Sequence, residues 1–338
     1  MEKRKLGSEG PAVSIMGLGC MGMSDLYGPV DRGESLATIR SALEVGITLL
    51  DTGDFYGMGD NELLIRDAIH DFDRDRVQIS VKFGALRDAE GNWNGYDARP
   101  NAIKNFLAYS LRRLGVDYID IYRPSRLDPA VPIEETIGAI ADLVKKGYVR
   151  FIGLSEVGPE TIRRAAKVHP VCDLQIEYSL LTRDIERQIL PTCRELGIAI
   201  TAYGVLSRGL LSGRWSEDRT LSKGDFRRIS PRFKTGAIEI NLGLVERIRA
   251  IAHEANASVA QAAIAWVVAQ GQDIIPIVGA RNREQLKEAL GALDLALTAT
   301  QLADLESALP AGAAAGARYP EPLLAHMDSE RGSRQTKG

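Results

Sequence analysis

Short apolar runs alternate with longer segments of mixed apolar and polar character along nearly the whole chain. Most of the short runs are continuously apolar, which is typical of parallel strands that are covered on both faces. The longer segments have the spacing of amphipathic helices. The runs predicted to form strands are Val13–Leu18, Ile47–Asp51, Val77–Lys82, Tyr118–Tyr122, Val149–Leu154, Asp173–Glu177, Ala199–Tyr203 and Ile274–Val278.

Several predicted helices carry recognisable signals at their ends. The segment Pro132-Ile133-Glu134-Glu135 begins one helix with proline and acids, and Lys145-Lys146-Gly147 ends it with bases and a glycine. Pro159-Glu160 repeats the same opening before Thr161–Lys167. Eight strands that are each followed by a helix close naturally into a (β/α)8 barrel. We therefore predict an α/β protein with this TIM-barrel fold in a single domain.

Two longer segments interrupt the regular spacing of the predicted strands. Ala85–Arg99 is a glycine- and polar-rich insertion after the third strand, and Ser207–Leu242 is a basic, glycine-rich insertion after the seventh. Both follow the carboxyl end of a strand, where barrels build their active sites, so both are candidate lids. Residues 1–321 are predicted to form the barrel, and residues 322–338 a partly flexible C-terminal tail.

Composition and charge narrow the class of protein. The 338 residues are 45% hydrophobic and carry a net charge of -3, with acids and bases mixed throughout. This balance predicts no nucleic-acid partner and no membrane partner, and no apolar run reaches the roughly 18 residues of a membrane span. The three cysteines are widely spaced and lack a Cys-x-x-Cys pair, which favours a reducing compartment. We predict a cytoplasmic protein, whose oligomeric state the sequence does not specify.

A glycine motif near the N-terminus resembles a dinucleotide-binding fingerprint but lacks its context. Gly17-Leu18-Gly19-Cys20-Met21-Gly22 matches G-x-G-x-x-G and follows a strand-like run. In a Rossmann fold the last glycine opens a helix, yet Gly28-Pro29 interrupts the chain here. Asp51 lies too far along to be the acidic residue that ends the second strand. The glycines are better explained by a strand end that turns tightly against a ligand.

Polar residues at the ends of the second and third predicted strands suggest proton-transfer chemistry. Asp51 and Lys82 end neighbouring strands, and the loop after Asp51 can bring Tyr56 over both. An adjacent ammonium stabilises a phenolate and lowers the pKa of the tyrosine, while a carboxylate keeps the ammonium charged. One alternative is a buried Asp–Lys pair with a packing tyrosine. Another makes Lys82 a Schiff-base lysine, although an adjacent Asp51 would keep it protonated and poorly nucleophilic.

Several motifs together resemble those of the aldo-keto reductases, from about Arg4 to about Glu321. Two of them, Val131–Thr136 and Gly316–Glu321, are similar to the bacterial and plant branch that reduces aldehydes and ketones. The others are Gly17-x-Gly19-Cys20-Met21-Gly22, Asp51-Thr52-x-x-x-Tyr56-Gly57, Val81-Lys82, Gly153-Leu154-Ser155-Glu156 and Ala202-Tyr203.

This resemblance implies a (β/α)8 barrel that binds NADPH and passes hydride to a carbonyl carbon while Tyr56 protonates the oxygen. It implies that Ser155 and Gln175 hold the carboxamide and that Tyr203 stacks on the nicotinamide ring. Asp51 belongs to both the catalytic set and the cofactor set. The resemblance also implies that Gly19, Cys20 and Met21 lie along the cofactor.

The segment after the eighth strand resembles the part of the family that grips the adenosine 2′-phosphate. It contains Gly279, Arg281 and Arg283, and arginines suit a phosphate dianion, so NADPH is favoured over NADH. An exposed start to the last helix is the alternative explanation of both arginines. The resemblance also implies that Gln285 and Glu288 lie nearer the adenine.

The fourth strand end lacks the histidine that the resemblance implies. In Tyr122-Arg123-Pro124-Ser125-Arg126-Leu127-Asp128-Pro129, Ser125 occupies the position of this fourth catalytic residue. The histidine orients the carbonyl, and such a donor is typically worth about 100- to 1,000-fold in rate. A serine replaces the bond only partly or through water. Arg123 or Arg126 is a candidate substitute cation, and His326 is a candidate only if the tail folds over the barrel mouth.

A few further side chains have two competing interpretations. Glu156 stands where many relatives carry asparagine, and either bonds the carboxamide or forms a salt bridge. Tyr203 either stacks on the cofactor or caps the barrel core. Trp93, Phe226 and Phe233 in the two insertions either line the substrate pocket or pack toward solvent.

Three functions remain open from the sequence. The leading one is reversible NADPH-dependent reduction of an aldehyde or ketone to an alcohol, with a small-molecule carbonyl or alcohol as substrate. The second is a regulatory or structural NADPH-binding homologue with weak or no turnover, for which the missing histidine is an argument. The third is a Schiff-base lyase that uses Lys82.

Overall fold

A closed barrel of eight parallel strands forms the centre of the molecule. The computed structural model describes residues 1–24, 26–216 and 219–331. In chain order the strands are β1 (Lys3–Lys5), β2 (Ala12–Ser14), β3 (Gly17–Gly19), β4 (Leu49–Gly53), β5 (Gln78–Phe83), β6 (Ala85–Arg87), β7 (Trp93–Tyr96), β8 (Ile119–Pro124), β9 (Val149–Ser155), β10 (Val171–Glu177), β11 (Ala199–Tyr203) and β12 (Ile274–Gly279). Neighbours around the barrel are β10-β11-β12-β3-β4-β5-β8-β9, and β9 pairs with β10 to close the ring.

Every barrel strand is followed by at least one helix, so the predicted (β/α)8 fold is confirmed. In the described ranges, no helix combines the length and the hydrophobicity needed to cross a membrane. The helices are α1 (Arg32–Glu44), α2 (Asp60–Ile69), α3 (Pro100–Leu114), α4 (Ile133–Lys145), α5 (Pro159–Val168), α6 (Ile189–Glu195), α7 (Ala237–Glu254), α8 (Val259–Ala269), α9 (Arg283–Leu290), α10 (Ala299–Ala308) and α11 (Glu321–Leu324).

Local sequence signals explain where several of these helices begin. The Asp31 side chain accepts a hydrogen bond from the Glu34 backbone N–H at 2.9 Å and caps α1. At α8, Ser258 and Gln261 form a reciprocal capping box. Proline precedes the first residue of α4 and is the first residue of α5, as the acid-rich openings predicted. Burial of the inward apolar faces against the barrel then stabilises the helices.

The first predicted strand, Val13–Leu18, is two strands in the structure. Ala12–Ser14 pairs antiparallel with β1, and the barrel strand begins only at Gly17. Ser14 Oγ and Thr48 Oγ1 each accept a hydrogen bond from the other residue's backbone N–H, at 2.9 Å. At the end of β2 these side-chain hydrogen bonds take the place of backbone hydrogen bonds to a neighbouring strand. The apolar run therefore predicted one strand where the backbone forms two.

Both predicted insertions follow strand carboxyl ends. The first contains the antiparallel hairpin β6–β7. The second contains three short 3-10 helices, at Ser207–Ser212, Phe226–Arg228 and Pro231–Phe233. Its predicted end at Leu242 is too late, because α7 already begins at Ala237.

The C-terminal segment packs over the carboxyl ends of the barrel strands as far as it is described. Asp328 Oδ2 accepts a hydrogen bond from the Gly158 backbone N–H at 2.8 Å, at the start of α5. Leu324 and Met327 are buried. Residues 322–331 of the predicted tail therefore contact the barrel, and residues 332–338 lie outside the described ranges.

Candidate active site

A cavity of about 380 Å³ opens at the carboxyl end of the barrel. All eight barrel strands contribute a residue to its wall, either among the last three residues of the strand or directly after it. Active sites of (β/α)8 enzymes occupy this face. In barrel order these residues are Gln175, Tyr203, Gly279, Gly19, Asp51, Lys82, Ser125 and Ser155.

Asp51 and Lys82 form a buried ion pair on the neighbouring strands β4 and β5. The Lys82 Nζ atom lies 2.5 Å from Asp51 Oδ2. The other carboxylate oxygen accepts hydrogen bonds from Ser80 Oγ at 3.0 Å and from Gln175 Nε2 at 2.7 Å. Burial lowers the pKa of Lys82, and Arg123 adds to this effect, while Asp51 opposes it. The carboxylate is thus held in one orientation by three donors.

Tyr56 lies beside this pair at the bottom of the cavity. Its ring centroid is 5.3 Å from Lys82 Nζ, and the side chain is 5% exposed. Burial and then Asp51 raise the pKa of Tyr56 well above its ordinary value, and Arg126 opposes the rise. The sequence argument expected the ammonium to lower this pKa. In the structure the loss of solvent is the largest effect and outweighs the opposing cation, Arg126, so the net shift is upward and the phenol keeps its proton at neutral pH.

Two serine hydroxyls face the cavity without a hydrogen-bond partner in the described part of the chain. Ser125 follows β8 and Ser155 ends β9, and they are 3% and 1% exposed. Ser155 is in register with Gln175 on β10. An unpaired buried hydroxyl costs free energy unless a bound group satisfies it. The Ser155–Gln175 edge therefore fits a small amide, such as the carboxamide of a nicotinamide.

Tyr203 ends β11 and presents its ring to the cavity. Its hydroxyl donates to Glu156 Oε1 at 2.6 Å and lies 3.0 Å from the Tyr319 hydroxyl. The ring is half-buried and lines the cavity, as a residue that stacks on a planar ligand must. Because these two contacts fix the Tyr203 hydroxyl, the ring is held in position.

Glu156 forms a salt bridge and does not line the cavity. It is fully buried, and Arg318 donates to its two oxygens at 2.9 and 2.6 Å. Ser329 Oγ donates to the same carboxylate at 2.7 Å. Burial alone would raise the pKa of Glu156, but Arg318 holds it well below its usual range. Of the two interpretations from the sequence, the structure therefore has the salt bridge.

The segment after β12 contributes some of the predicted cofactor residues and not others. Gly279, Arg281, Gln285 and Glu288 line the cavity. Arg281 also donates to the carbonyl oxygens of Tyr27 at 3.0 Å and Gly28 at 3.3 Å, which joins this segment to the loop after β3.

Arg283 and Cys20 are not among the residues that line the cavity, and their expected contact with the cofactor stays a prediction. Arg283 is exposed and pairs with Glu34 of α1 at 2.9 Å. Cys20 is fully buried, and its backbone N–H donates to the Asp51 carbonyl oxygen at 2.9 Å. Burial raises the pKa of the Cys20 thiol, which is therefore neutral. Its neighbours Gly19 and Met21 line the cavity, where a bound cofactor could reach them.

The sequence analysis missed four arginines of the second insertion that line the cavity. The only sequence signal was the basic character of that insertion, which does not say which side chains turn inward. Arg214 pairs with Glu288 at 2.8 Å, and Arg227 pairs with Asp225 at 2.6 Å. The four are Arg208, Arg214, Arg219 and Arg227.

An aromatic wall surrounds the end of the cavity that contains Tyr56. The Phe55 ring meets Tyr56 edge-on at 4.9 Å and Trp93 at 5.6 Å between centroids. Phe226 also lines the cavity. Phe233 instead packs against Trp215, with ring centroids 4.8 Å apart. Trp93 and Phe226 are thus in pocket positions, and Phe233 is a packing residue.

The candidate substitutes for the missing histidine differ in accessibility. Arg123 is fully buried and pairs with Asp173 at 2.9 Å inside the barrel, so the Asp173 carboxylate neutralises its charge. Arg126 lines the cavity and donates to the Ser125 carbonyl oxygen at 2.6 Å. His326 is exposed, with its ring centroid 6.4 Å from that of Tyr96. Arg126 is the one cation of these candidates that reaches the site.

Comparison with known proteins agrees with this geometry. The model of the Aldo/keto reductase family matches residues 15–310. A probable aldo-keto reductase of Glycine max is 40% identical over 93% of this chain and 91% of its own length. Among solved structures, a glycerol dehydrogenase from Gluconobacter oxydans is 28% identical with a TM-score of 0.82, over 91% of this chain and 96% of the other. An aldo-keto reductase from Bacillus halodurans is 28% identical with a TM-score of 0.75, over 92% and 97%.

The family model spans most of the chain, and the soybean relative matches nearly all of it at an identity well above that of a shared fold alone. The closed eight-stranded barrel is the fold that the chain shares with these solved relatives. The chain belongs to the aldo/keto reductase family and is an NAD(P)-dependent oxidoreductase.

Proposed function

We propose that the protein reduces an aldehyde or ketone to the alcohol, reversibly and with NADPH, and that Tyr56 is its proton donor. The observation that carries this proposal is the position of a protonated Tyr56 beside the Asp51–Lys82 ion pair in a cavity shared by all eight strands. When bound, the nicotinamide supplies the hydride or accepts it. The protein's own residues bind the cofactor, orient the carbonyl group and deliver the proton.

Tyr56 delivers a proton to the oxygen of the carbonyl group. Negative charge develops on the phenol oxygen as the proton leaves, and the nearby Lys82 ammonium stabilises it. Asp51 keeps that ammonium charged despite its burial. The raised pKa of Tyr56 keeps the proton in place until an acceptor arrives.

The cofactor residues that we propose all line the cavity. Ser155 and Gln175 hold the carboxamide, and the Tyr203 ring lies against the nicotinamide. Gly19 and Met21 follow along the cofactor, with Gln285 and Glu288 nearer the adenine. Arg281 and the cavity-facing arginines of the second insertion supply positive charge for the phosphates, which favours NADPH over NADH.

Ser125 contributes a hydrogen bond to the carbonyl oxygen in place of the histidine. Its hydroxyl is buried, unpaired among the described residues and directed at the cavity, so a bound carbonyl oxygen satisfies it. An uncharged hydrogen-bond donor stabilises developing negative charge less than a charged donor does. We therefore propose a working enzyme with a lower intrinsic rate.

The second candidate function is an NADPH-binding homologue without significant turnover, and the serine at position 125 favours it. A panel of aldehydes and ketones, assayed by NADPH oxidation next to calorimetric NADPH binding, separates the two. Reduction of panel members supports the proposed enzyme. Tight NADPH binding with no reduction across the panel overturns it in favour of the binding protein. The three free, buried cysteines fit a reducing compartment, and we place the reaction in the cytoplasm.

A further inference from the structure

Arg126 lines the active-site cavity, and no carboxylate pairs with it in the described part of the chain. It is half-buried, and its hydrogen bond goes to the Ser125 carbonyl oxygen, at 2.6 Å. By contrast, Arg208, Arg214 and Arg227 have carboxylate partners at 3.4, 2.8 and 2.6 Å. A guanidinium that is partly withdrawn from water and lacks a counter-ion attracts an anion strongly.

The neighbours of Arg126 do not neutralise its charge. Its electrostatic contacts are the phenols of Tyr96, Tyr203 and Tyr319 and the carboxylate of Glu156. Glu156 already forms a two-point salt bridge with Arg318, which uses its charge. Burial alone would lower the pKa of Arg126, but these neighbours raise it, so the group is a cation at every physiological pH.

The position of Arg126 in the barrel separates it from the phosphate end of the cavity. It follows β8, and β8 lies four strands from β12 in either direction around the ring. Arg281, which we assign to the cofactor phosphates, follows β12. Arg126 is instead close enough to Tyr56 and Lys82 to shift the pKa of both. An anion bound at Arg126 is therefore near the transferred proton and far from the cofactor phosphates.

We propose that the substrate carries a carboxylate in addition to its aldehyde or ketone group. Arg126 holds the carboxylate while Tyr56 protonates the oxygen of the aldehyde or ketone. Phe55, Trp93 and Tyr96 line the same cavity and offer aromatic surface for a flat or apolar body. The substrate class is an aldehyde or ketone with an apolar or aromatic body and one carboxylate. The planar fork of a guanidinium matches a carboxylate with two parallel hydrogen bonds. This inference rests on the proposed reductase function.

The test compares para-carboxybenzaldehyde with its methyl ester, which is neutral and carries one added methyl group. We measure kcat/KM with NADPH for both and take the ratio of acid to ester, which does not depend on how much enzyme is folded. We expect a ratio of about 10 to 100 in the unchanged enzyme, the size of a charge-assisted hydrogen bond. In Arg126→Gln the ratio falls to about one or below. Arg164→Gln, a charge-matched change in an exposed pair with Glu134 on the outer helices, keeps the ratio.

Two results would overturn the inference alone. One is turnover of both substrates with no preference for the acid, and the other is an equal loss of both activities in Arg126→Gln. The second result would assign Arg126 to the carbonyl oxygen itself. Absence of turnover for both substrates and for the wider panel would overturn the proposed function, and this inference with it.

Discussion

Arg318, which directly precedes the C-terminal segment, and Glu156, directly after β9, form a buried ion pair with donor–acceptor distances of 2.6 and 2.9 Å. The pair joins two parts of the chain that lie 162 residues apart. The same carboxylate accepts the Tyr203 hydroxyl at 2.6 Å. The position of the cavity wall is therefore coupled to the docking of the C-terminal segment.

Glu156→Gln is expected to destabilise the protein because it leaves Arg318 buried without a counter-ion. Breaking such a pair typically costs about 3–5 kcal/mol. The folded-state pKa of Glu156 lies below its unfolded value, so its contribution is present above about pH 4.3 and is lost as the pH falls toward the folded value. Urea unfolding at neutral pH and at about pH 3 measures this difference. The same difference in unfolding free energy between the unchanged protein and Glu156→Gln at both pH values would contradict the account. Glu134→Gln, in an exposed pair with Arg164, is the control.

Lys82→Met is expected to reduce both stability and turnover, because Asp51 then loses its buried counter-ion. The expected cost is about 3–5 kcal/mol. The double variant Asp51→Asn with Lys82→Met removes the uncompensated charge and recovers part of the stability without recovering kcat. Thermal unfolding and steady-state kinetics of the three variants check this. Recovered turnover in the double variant would show that the pair is structural.

Ser125→His is expected to raise kcat, since a longer and stronger donor then faces the carbonyl oxygen. A donor of this kind is worth up to about 100- to 1,000-fold, and some of that gain is lost if the cavity wall resists the larger ring. Ser125→Ala lowers kcat with little change in NADPH affinity. Ser35→Ala is the matched control, a buried serine on α1 away from the cavity. Equal kcat in all three variants would remove Ser125 from the mechanism.

Arg281→Met is expected to weaken NADPH binding more than NADH binding, because the cavity-facing guanidinium is lost. Arg283→Met is expected to leave the ratio of the two affinities near that of the unchanged protein, since Arg283 pairs with Glu34 outside the cavity. Calorimetric Kd values for both cofactors measure the two ratios. A larger effect at Arg283 would show that this side chain leaves Glu34 when the cofactor binds.

The sequence was sufficient for the barrel and for most of the site, because both depend on local patterns. Continuous apolar runs predicted the strands, and the polar residues at two strand ends predicted Asp51 and Lys82 at one face, while Gln175 came only from the family resemblance. The failure at Val13–Leu18 has a physical reason. A hydrophobic run does not show that Ser14 turns the backbone through bonds to Thr48.

The remaining differences come from contacts between distant parts of the chain. Arg283 lies in the expected motif, but its side chain pairs with Glu34 on α1 at the surface. The salt-bridge partner of Glu156 directly precedes the C-terminal segment, where no spacing rule applies. The direction of the Tyr56 pKa shift depends on burial, which the motif does not report. Such features become visible only when the chain is folded.

Tyr56→Phe tests the central claim most directly, because it removes the transferred proton and little else. The account predicts that kcat for a reducible aldehyde falls by about 100-fold or more, while the NADPH Kd stays close to that of the unchanged protein. Tyr109→Phe, on the exposed surface of α3, is the control and should keep full activity. A Tyr56→Phe variant with undiminished kcat would contradict the assignment of Tyr56 as the proton donor.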